Sequence, residues 1–497
     1  MIVLSLIVFL PVVVAAVLAL TRSMSGRAAA WVWLMTSIVE LVLGVLASIP
    51  GSTVSGLRWE ERIEWMPSVG TSYHLGVDGF SAPLLLLTDV VFLACALWAM
   101  RDTDRPRPQA ALFLSLQTTC LGVFAAQDLL VFFVFFDLSI VGMYFVIAGW
   151  GHGDHQRSAL RFFLYTFLGS LALLLGFIGL YLGSAPHTFD MVELTRNGVT
   201  GTPLAAGAVL AALVVGFAVK TPTVPFHSWL PPAHTDAPAI GSVVLASVLL
   251  KMGTYGFLRI AMPMLPDAWR SWSWVIVIVG IVSVLYGALV ALAQTNVKRL
   301  IAYTSVNHMG YVVLAVGAAG MTGATSAQAH QLAITGATVQ MVSHGLITGA
   351  LFLLAGVLHD RRGSYEISDY SGLAKPAPRF SGLFAIAAFA SLGIPGFSGF
   401  IAEFQIFAGS IGATAIAAIA LPGILITAAL FLRTVQKLLT GPTEHLADGF
   451  TDVTARETVT VGALLLLSLA IGVVPGPLLQ LIAPAARQLA ALVGGPA

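Results

Sequence analysis

Charge is scarce in this chain: only 9% of its 497 residues are Asp, Glu, Lys or Arg, while 58% are hydrophobic. A soluble globular protein carries about 25% charged residues, so the composition excludes an ordinary soluble enzyme. The charges also nearly cancel, with 24 Lys and Arg against 23 Asp and Glu. A net charge of +1 provides no general basic field, so no nucleic-acid partner is expected.

Cysteine and cofactor motifs are equally scarce. Cys95 and Cys120, the two cysteines, lie in separate apolar stretches and form no CxxC pair. This argues against a disulfide framework, a thiolate zinc site and an iron–sulfur cluster ligated by this chain. The sequence has no GxGxxG after a strand, no GxxxxGK[ST], no CxxCH and no HExxH. We therefore expect no cofactor and no metal in this chain.

Long apolar runs take the place of those motifs. Crossing roughly 30 Å of hydrocarbon takes about 20 apolar residues in a helix. About fourteen such runs predict membrane helices near residues 2–20, 28–48, 80–100, 109–126, 128–150, 160–182, 203–228, 238–261, 272–293, 299–319, 330–358, 380–409, 413–438 and 457–479. No long polar segment separates them, so residues 1–497 are expected to form a single all-α membrane domain in contact with lipid. The first run lacks a basic n-region and a cleavage signature, so we expect a retained helix.

The basic residues are divided unequally between the two sets of alternate loops. One set holds 16 Lys and Arg and the other holds 6. The positive-inside rule then predicts that both termini lie on the outer side of the membrane. The two remaining basic residues, Lys220 and Lys251, lie inside apolar runs.

Several ionisable residues are predicted to lie within the membrane, where a charge costs several kcal/mol or more. They are Asp137, Lys220, Lys251 and Glu403, together with His308 and His344. Any one alone could belong to a structural ion pair or to a side chain that reaches the surface. Four acids and bases on separate helices, with two histidines, favour ion transport over a structural membrane scaffold.

Two of these charges adjoin predicted helix breaks. Pro222 and Pro225 follow Lys220, and the Pro-Gly pair at 395–396 precedes Glu403. Proline removes a helical hydrogen bond and glycine weakens a helix, so both segments are expected to be broken at mid-membrane. Interrupted helices in two corresponding halves are typical of transporters with inverted repeats.

Acids, lysines and histidines together can carry protons. Desolvation disfavours the charged form of a buried lysine or carboxyl group, whereas a nearby opposite charge favours it. Movement of Asp137 toward or away from Lys220 would therefore load or release a proton. His308 and His344 could relay protons through water. A second histidine pair, His227 and His234, lacks the carboxylates of a metal site and is interpreted as part of a structural turn.

Residues 217–259, FAVKTPTVPFHSWLPPAHTDAPAIGSVVLASVLLKMGTYGFLR, closely resemble the signature of the antiporter-like subunits of respiratory complex I and their relatives in cation/proton antiporters and membrane-bound hydrogenases. Further matches lie at 73–88, 293–314, 343–361 and 394–404. The resemblance implies fourteen core helices. It also implies two inverted five-helix repeats, at 109–261 and 272–438, in which the seventh and twelfth helices are broken.

Within this family, the residue in the broken twelfth helix separates the sibling types. The M type has Glu where the L and N types have Lys, and this chain has Glu403. No long lateral helix of the L type is expected after residue 479. The resemblance assigns the helix-5 carboxylate to Asp137, carrier roles to Lys220 and Lys251, relay positions to His308 and His344, and the terminal carrier to Glu403.

The chain departs from the family pattern at two positions, with Asp137 for the usual Glu and Asn296 for the usual Asp. The shorter carboxylate changes its distance to Lys220, while the lost charge at 296 is expected to matter little. Asp89 has no family role and is interpreted as one member of a structural pair.

The resemblance implies a proton-translocating subunit of an NADH:quinone oxidoreductase in a bacterial inner membrane. Flavin, iron–sulfur clusters and quinone would then lie in partner subunits, and the neighbours would be L-type and N-type subunits. A component of a multi-subunit cation/proton antiporter, a membrane subunit of a hydrogenase or formate-linked complex, and a structural scaffold are the alternatives. Glu403 argues against the antiporter.

Overall fold

The computed structural model describes residues 2–49, 56–101, 104–322, 327–443 and 450–494. The strands are β1 Arg58–Met66 and β2 Thr71–Val77, which pair as an antiparallel hairpin. The α-helices are α1 Val3–Leu20, α2 Gly26–Ser48, α3 Ser81–Trp98, α4 Pro106–Ala125, α5 Leu129–Trp150, α6 His155–Leu182, α7 Met191–Asn197, α8 Pro203–Lys220, α9 Leu230–Asp236, α10 Ala239–Val244, α11 Leu250–Gly256, α12 Met262–Met264, α13 Pro266–Leu292, α14 Val297–Ala318, α15 Ala327–Arg362, α16 Pro378–Ser391, α17 Ser398–Ala413, α18 Pro422–Leu439, α19 Ala455–Val473 and α20 Gly476–Val493.

Among the described residues, 14 helical segments are long and apolar enough to cross a membrane. The segment made by α10–α12, together with α14 and α15, forms an almost fully buried centre. The outer helices expose large apolar side chains, among them Leu168, Leu425 and Leu466. An exposed apolar face of this extent fits contact with lipid, and the predicted all-α membrane fold is confirmed.

The run predicted at 380–409 is two short helices, α16 and α17, separated by residues 392–397, in agreement with the predicted break. The membrane segments differ from the sequence prediction at the end of the chain. The fourteenth candidate is instead α20, an unpredicted helix that begins at Gly476. Its most apolar stretch has the same mean hydropathy as that of α4, so its sequence could have indicated it.

Both described ends of the chain lie at the same end of the helix bundle. At the start of α1, the Leu4 amide donates a hydrogen bond to Glu61 of the hairpin at 2.6 Å. A Cβ at Gly79, just after the hairpin, would lie 2.5 Å from the carbonyl oxygen of Leu481 in α20. Arg270 also donates to the carbonyl oxygen of Leu492, at 3.1 Å. Helix α20 therefore lies along this end of the bundle.

The two predicted helix breaks are present. Helix α8 ends at Lys220, and the Trp229 indole donates to the freed carbonyl of Val219 at 2.9 Å. In the second break, Gly393 and Gly396 have φ angles of +70° and +108°, which favour glycine. Side-chain donors and close packing satisfy broken backbone inside a membrane protein, so both interruptions are stable at membrane depth.

The eighth membrane segment has a different irregularity. Two π-helical turns, Leu245–Leu249 and Phe257–Ala261, flank the short helix α11 that carries Lys251. π-turns inside α-helices are rare and occur frequently at functional sites. They widen the helix on both sides of the central lysine.

Candidate functional site

Lys220 lies at the end of α8 with its ammonium group buried against aromatic rings. The residue is 1% exposed. Its Nζ lies 3.5 Å from Ser139 Oγ, 4.9 Å from the ring centre of Phe136 and 5.9 Å from that of Phe162. Aromatic faces stabilise a desolvated cation more weakly than a carboxylate does. The side chain is therefore held in place without a strong counter-ion.

Asp137 adjoins this site on α5, between Phe136 and Ser139. Among the described residues, no ion pair within 4.0 Å joins it to Lys220, although the two groups interact electrostatically. Its buried Oδ1 also has no hydrogen-bond partner in the described part of the chain. Asp137 and Lys220 thus lie close together without forming an ion pair in this structure.

This spacing predicts different results for two substitutions at Asp137. Asp137→Asn removes the charge that acts on Lys220, so coupled proton transport should be severely reduced. Asp137→Glu keeps the charge and extends the carboxylate by one methylene, so activity should be retained. Dye-reported proton uptake into liposomes that contain each variant measures both effects. The exposed Asp154 gives the control Asp154→Asn, and normal pumping by Asp137→Asn would exclude a role for the charge.

Lys251 and His344 form a direct contact at the centre of the molecule. Lys251 Nζ lies 2.6 Å from His344 Nδ1 and donates to the carbonyl oxygen of Ala246 at 2.5 Å. Lys251 and His344 are 0% and 2% exposed. Short hydrogen bonds between two groups that can each gain or lose a proton suit proton transfer.

The contact continues through His308 to Glu403. The rings of His344 and His308 are 5.5 Å apart in an edge-on arrangement, and His308 Nε2 lies 3.9 Å from Glu403 Oε1. A small cavity is lined by both histidines and Glu403 and has room for about one water molecule. Lys251, His344, His308 and Glu403 therefore form a buried row, which we call the central row.

Glu403 lies at the end of this row against the second helix break. A Cβ at Gly393 would lie 2.5 Å from Glu403 Oε2, so only glycine allows this approach. The residue is 8% exposed. The break that proline and glycine produce therefore makes room for the carboxylate.

Lys298 is one of the 16 basic residues that the sequence assigned to loops, so its position in the interior was missed. The side chain is 0% exposed. Its Nζ donates to the carbonyl oxygen of Ala237, lies 3.4 Å from that of Thr235 and is 4.9 Å from the ring centre of Tyr365. Because it adjoins Arg299, Lys298 was interpreted as a residue at the membrane edge. It is instead the second residue of α14 and points inward.

His234 was also missed, because it was grouped with His227 as part of a turn. The two rings do not meet: His227 packs on Tyr286 at 5.0 Å, whereas His234 stacks on Phe352 at 4.5 Å. His234 is 0% exposed, and neither ring nitrogen has a partner among the described residues. It lies close enough to both Lys298 and Lys251 to interact with each electrostatically.

A wider cavity opens beside Lys298, at the end of the bundle that carries most basic loops. Arg101, His152, Asp360 and Tyr365 are among its lining residues. Burial, together with the charges of Lys298, His359 and His155, lowers the pKa of His152 to about 4. This imidazole is therefore neutral at physiological pH and can accept a hydrogen bond from water.

Comparison with known proteins places this chain in a family. The model of the family described as NADH:quinone oxidoreductase/Mrp antiporter, TM, matches residues 126–430. The NADH-quinone oxidoreductase subunit M of Rhodobacter capsulatus is 36% identical over 502 residues, covering 98% of this chain and 96% of that protein. The F(420)H(2) dehydrogenase subunit M of Methanosarcina mazei is 34% identical, covering 99% and 98% of the two chains.

A solved structure of a related complex is similar to this chain over its whole length. A chain of respiratory complex I from Thermus thermophilus with bound NADH superposes with a TM-score of 0.88 at 30% identity, over 100% of both chains. The chain therefore belongs to the family of antiporter-like membrane subunits shared by NADH:quinone oxidoreductases and Mrp antiporters. Within it, the similarity over nearly the whole length is to M-type subunits, as Glu403 predicts.

Proposed function

We propose that this chain is a proton-translocating membrane subunit of an NADH:quinone oxidoreductase and has no redox centre of its own. Quinone reduction in other subunits supplies the energy, and the buried acids and bases of this chain carry the protons. The central row supports the proposal most directly, because four titratable residues follow one another at the distances that proton relay through side chains and water requires. The membrane fold and the family support it further.

We assign the redox centres to partner subunits because relatives with different electron donors resemble this chain equally well. Relatives named for different electron donors, NADH and F(420)H(2), match this chain at similar identities of 36% and 34%. A membrane subunit that serves different donors need not contact them. Flavin, iron–sulfur clusters and quinone then belong to other subunits, and L-type and N-type subunits are the neighbours.

The proposed path has an entry and an exit. Protons enter from the wide cavity beside Lys298, pass His234 to reach Lys251, and leave through the central row toward Glu403. In the first half of the chain, Asp137 and Lys220 load and release a proton as their separation changes. Residues 109–261 and 272–438 act as the two inverted repeats, each with one broken helix. Both termini lie on the outer side, so the basic loops and the entry cavity face the inside of the cell.

Two variants test this function. Lys251→Met and His234→Phe keep much of the side-chain volume but remove the proton-binding atoms. Since a positioned proton-transfer group contributes roughly 10²-fold or more, each should reduce proton translocation by about that factor. The measurement is dye-reported acidification by the complex in liposomes, with NADH and quinone supplied. Matched controls are Lys375→Met, an exposed loop lysine, and His227→Phe.

These measurements distinguish a proton-translocating subunit from a component of a cation/proton antiporter. Loss of pumping in the two variants, but not in the controls, supports transport along this path. Unchanged acidification in both variants would refute it. Acidification that requires sodium in the wild type would favour a cation/proton antiporter.

A further inference from the structure

A second set of buried acids lies outside the central row. Glu40 of α2 and Asp89 of α3 are each 0% exposed. A Cβ at Gly44, one helical turn after Glu40, would collide with Asp89 Oδ2. Residues four apart lie on the same helix face, so the two carboxyl groups face each other between α2 and α3. Asp89 is the main charge that acts on Glu40.

In the part of the chain that the structure describes, no cation neutralises the two carboxyl groups. Among the described residues, no Lys, Arg or His lies within 4.0 Å of either acid. Gln117 Nε2 donates to Asp89 Oδ1 at 3.2 Å. In the described part of the chain, both oxygens of Glu40, Asp89 Oδ2, Gln117 Oε1 and Ser37 Oγ have no hydrogen-bond partner. Ser37 precedes Glu40 by one turn, and Gln117 is 0% exposed and directed at Asp89.

The surrounding helices do not supply the missing charge. Helix α1 has no ionisable residue. At the start of α4, Arg107 Nη1 donates to the carbonyl oxygen of Thr21 at 3.0 Å. The facing charged groups of α15 and α19 are engaged elsewhere, His344 with Lys251, and Arg361 with Glu457. The thiol of Cys95 on α3 contacts the Ile240 carbonyl.

Glu457 shows what a buried ionised carboxylate looks like in the same chain. It is 4% exposed, accepts from Arg361 Nη2 at 2.7 Å and accepts from the Thr454 amide at 2.8 Å. An ion pair and a helix cap thus compensate its desolvation. Glu40 and Asp89 are buried more completely and have neither among the residues that the structure describes.

An unpaired carboxylate in a low-dielectric interior costs so much that the group takes up a proton instead. Two facing carboxyl groups cannot both ionise, and they titrate as a pair. We propose that Glu40 and Asp89 form a carboxyl dyad that binds at least one proton within the membrane, as a protonation site separate from the central row. Gln117 positions the dyad by its hydrogen bond to Asp89.

The dyad lies on the far side of α3 from the central row. Leu87 of α3 packs on Gly345, the neighbour of His344. Residues two apart in a helix point in nearly opposite directions, so Asp89 faces away from His344. The dyad is therefore a second proton-binding site and does not extend the row.

Infrared spectroscopy of the purified complex tests the dyad. The wild-type spectrum minus that of the Glu40→Gln, Asp89→Asn double variant should contain the carbonyl stretch of a protonated carboxyl, at neutral pH and without sodium. A Glu64→Gln difference, from an exposed glutamate of the hairpin, should contain only ionised carboxylate bands. Because the variants replace acids by amides of the same shape, assembly should be unaffected.

Labelling with a hydrophobic carbodiimide gives a second readout, since this reagent modifies protonated carboxyl groups. Mass spectrometry should find the adduct on Glu40 or Asp89 but not on Glu457, and labelling should be equal in sodium and choline salts. A difference spectrum with only ionised carboxylate bands would overturn the proposal. Loss of the protonated band on addition of sodium would also overturn it, because the oxygens would then form a cation site.

Discussion

Lys220→Ala is expected to abolish proton translocation and to remove most of the coupled quinone reductase activity, while the complex still assembles. Lys220 is 1% exposed and ends the first half of a broken helix. Its ammonium has one weak hydrogen bond, to Ser139, and two aromatic faces. Alanine cannot bind a proton at this position, so proton transfer beside Asp137 is lost.

The matching variant Lys220→Met separates charge from packing. Truncating a long buried side chain leaves a cavity, which costs about 2–5 kcal/mol for an apolar residue of similar length. Methionine fills most of that space without a charge. Equal loss of acidification in the Ala and Met proteins would show that the proton is required, whereas normal pumping by Lys220→Met would leave Lys220 with only a packing role. Lys375→Ala, at an exposed loop position, controls for the assay.

The features that sequence predicts well here are those set by local composition. The apolar runs predict most of the membrane helices. The proline and glycine residues next to Lys220 and Glu403 predict both helix breaks. Each depends on residues adjacent in the chain. The same local pattern could also have indicated Glu40, a single acid within the apolar run 28–48, since that signal drew attention to Asp89.

The features that sequence does not predict depend on which helices meet. Lys298 is buried where the end of α9, Ala237 and Tyr365 enclose it. His234 interacts electrostatically with two lysines that are 47 positions apart in the chain, since α9 packs on α14 and α10. The contact between Lys251 and His344 likewise joins residues separated by 93 positions. Hydropathy and motif spacing carry no information on these distances.

The separation of Asp137 from Lys220 is also a tertiary result. The sequence suggests that the two residues act as one functional pair, and the structure places them on neighbouring helices without an ion pair among the described residues. A pair that is close but not joined can be brought together or parted by a small helix movement. The transport cycle that the sequence suggests needs that freedom.

Glu403→Gln and Glu403→Lys should both impair pumping, and Lys should be the worse. The carboxylate lies 3.9 Å from His308 and against Gly393, in a site with no Lys or Arg within 4.0 Å among the described residues. Glutamine keeps the shape but cannot bind the proton that leaves the row. Lysine adds a positive charge near His308 and Lys251, at a cost of roughly 3 kcal/mol for an unpaired charge in the membrane.

The measurement is dye-reported proton uptake per NADH oxidised, with the amount of assembled complex determined in the same membranes. Glu64→Gln and Glu64→Lys repeat the substitutions at an exposed position of the hairpin and should pump normally. Since an interaction at the row's end affects only the protons that pass along it, NADH oxidation should fall less than proton uptake in Glu403→Gln. A Glu403→Lys protein that assembles and pumps at the wild-type ratio would show that protons do not leave the row through this residue.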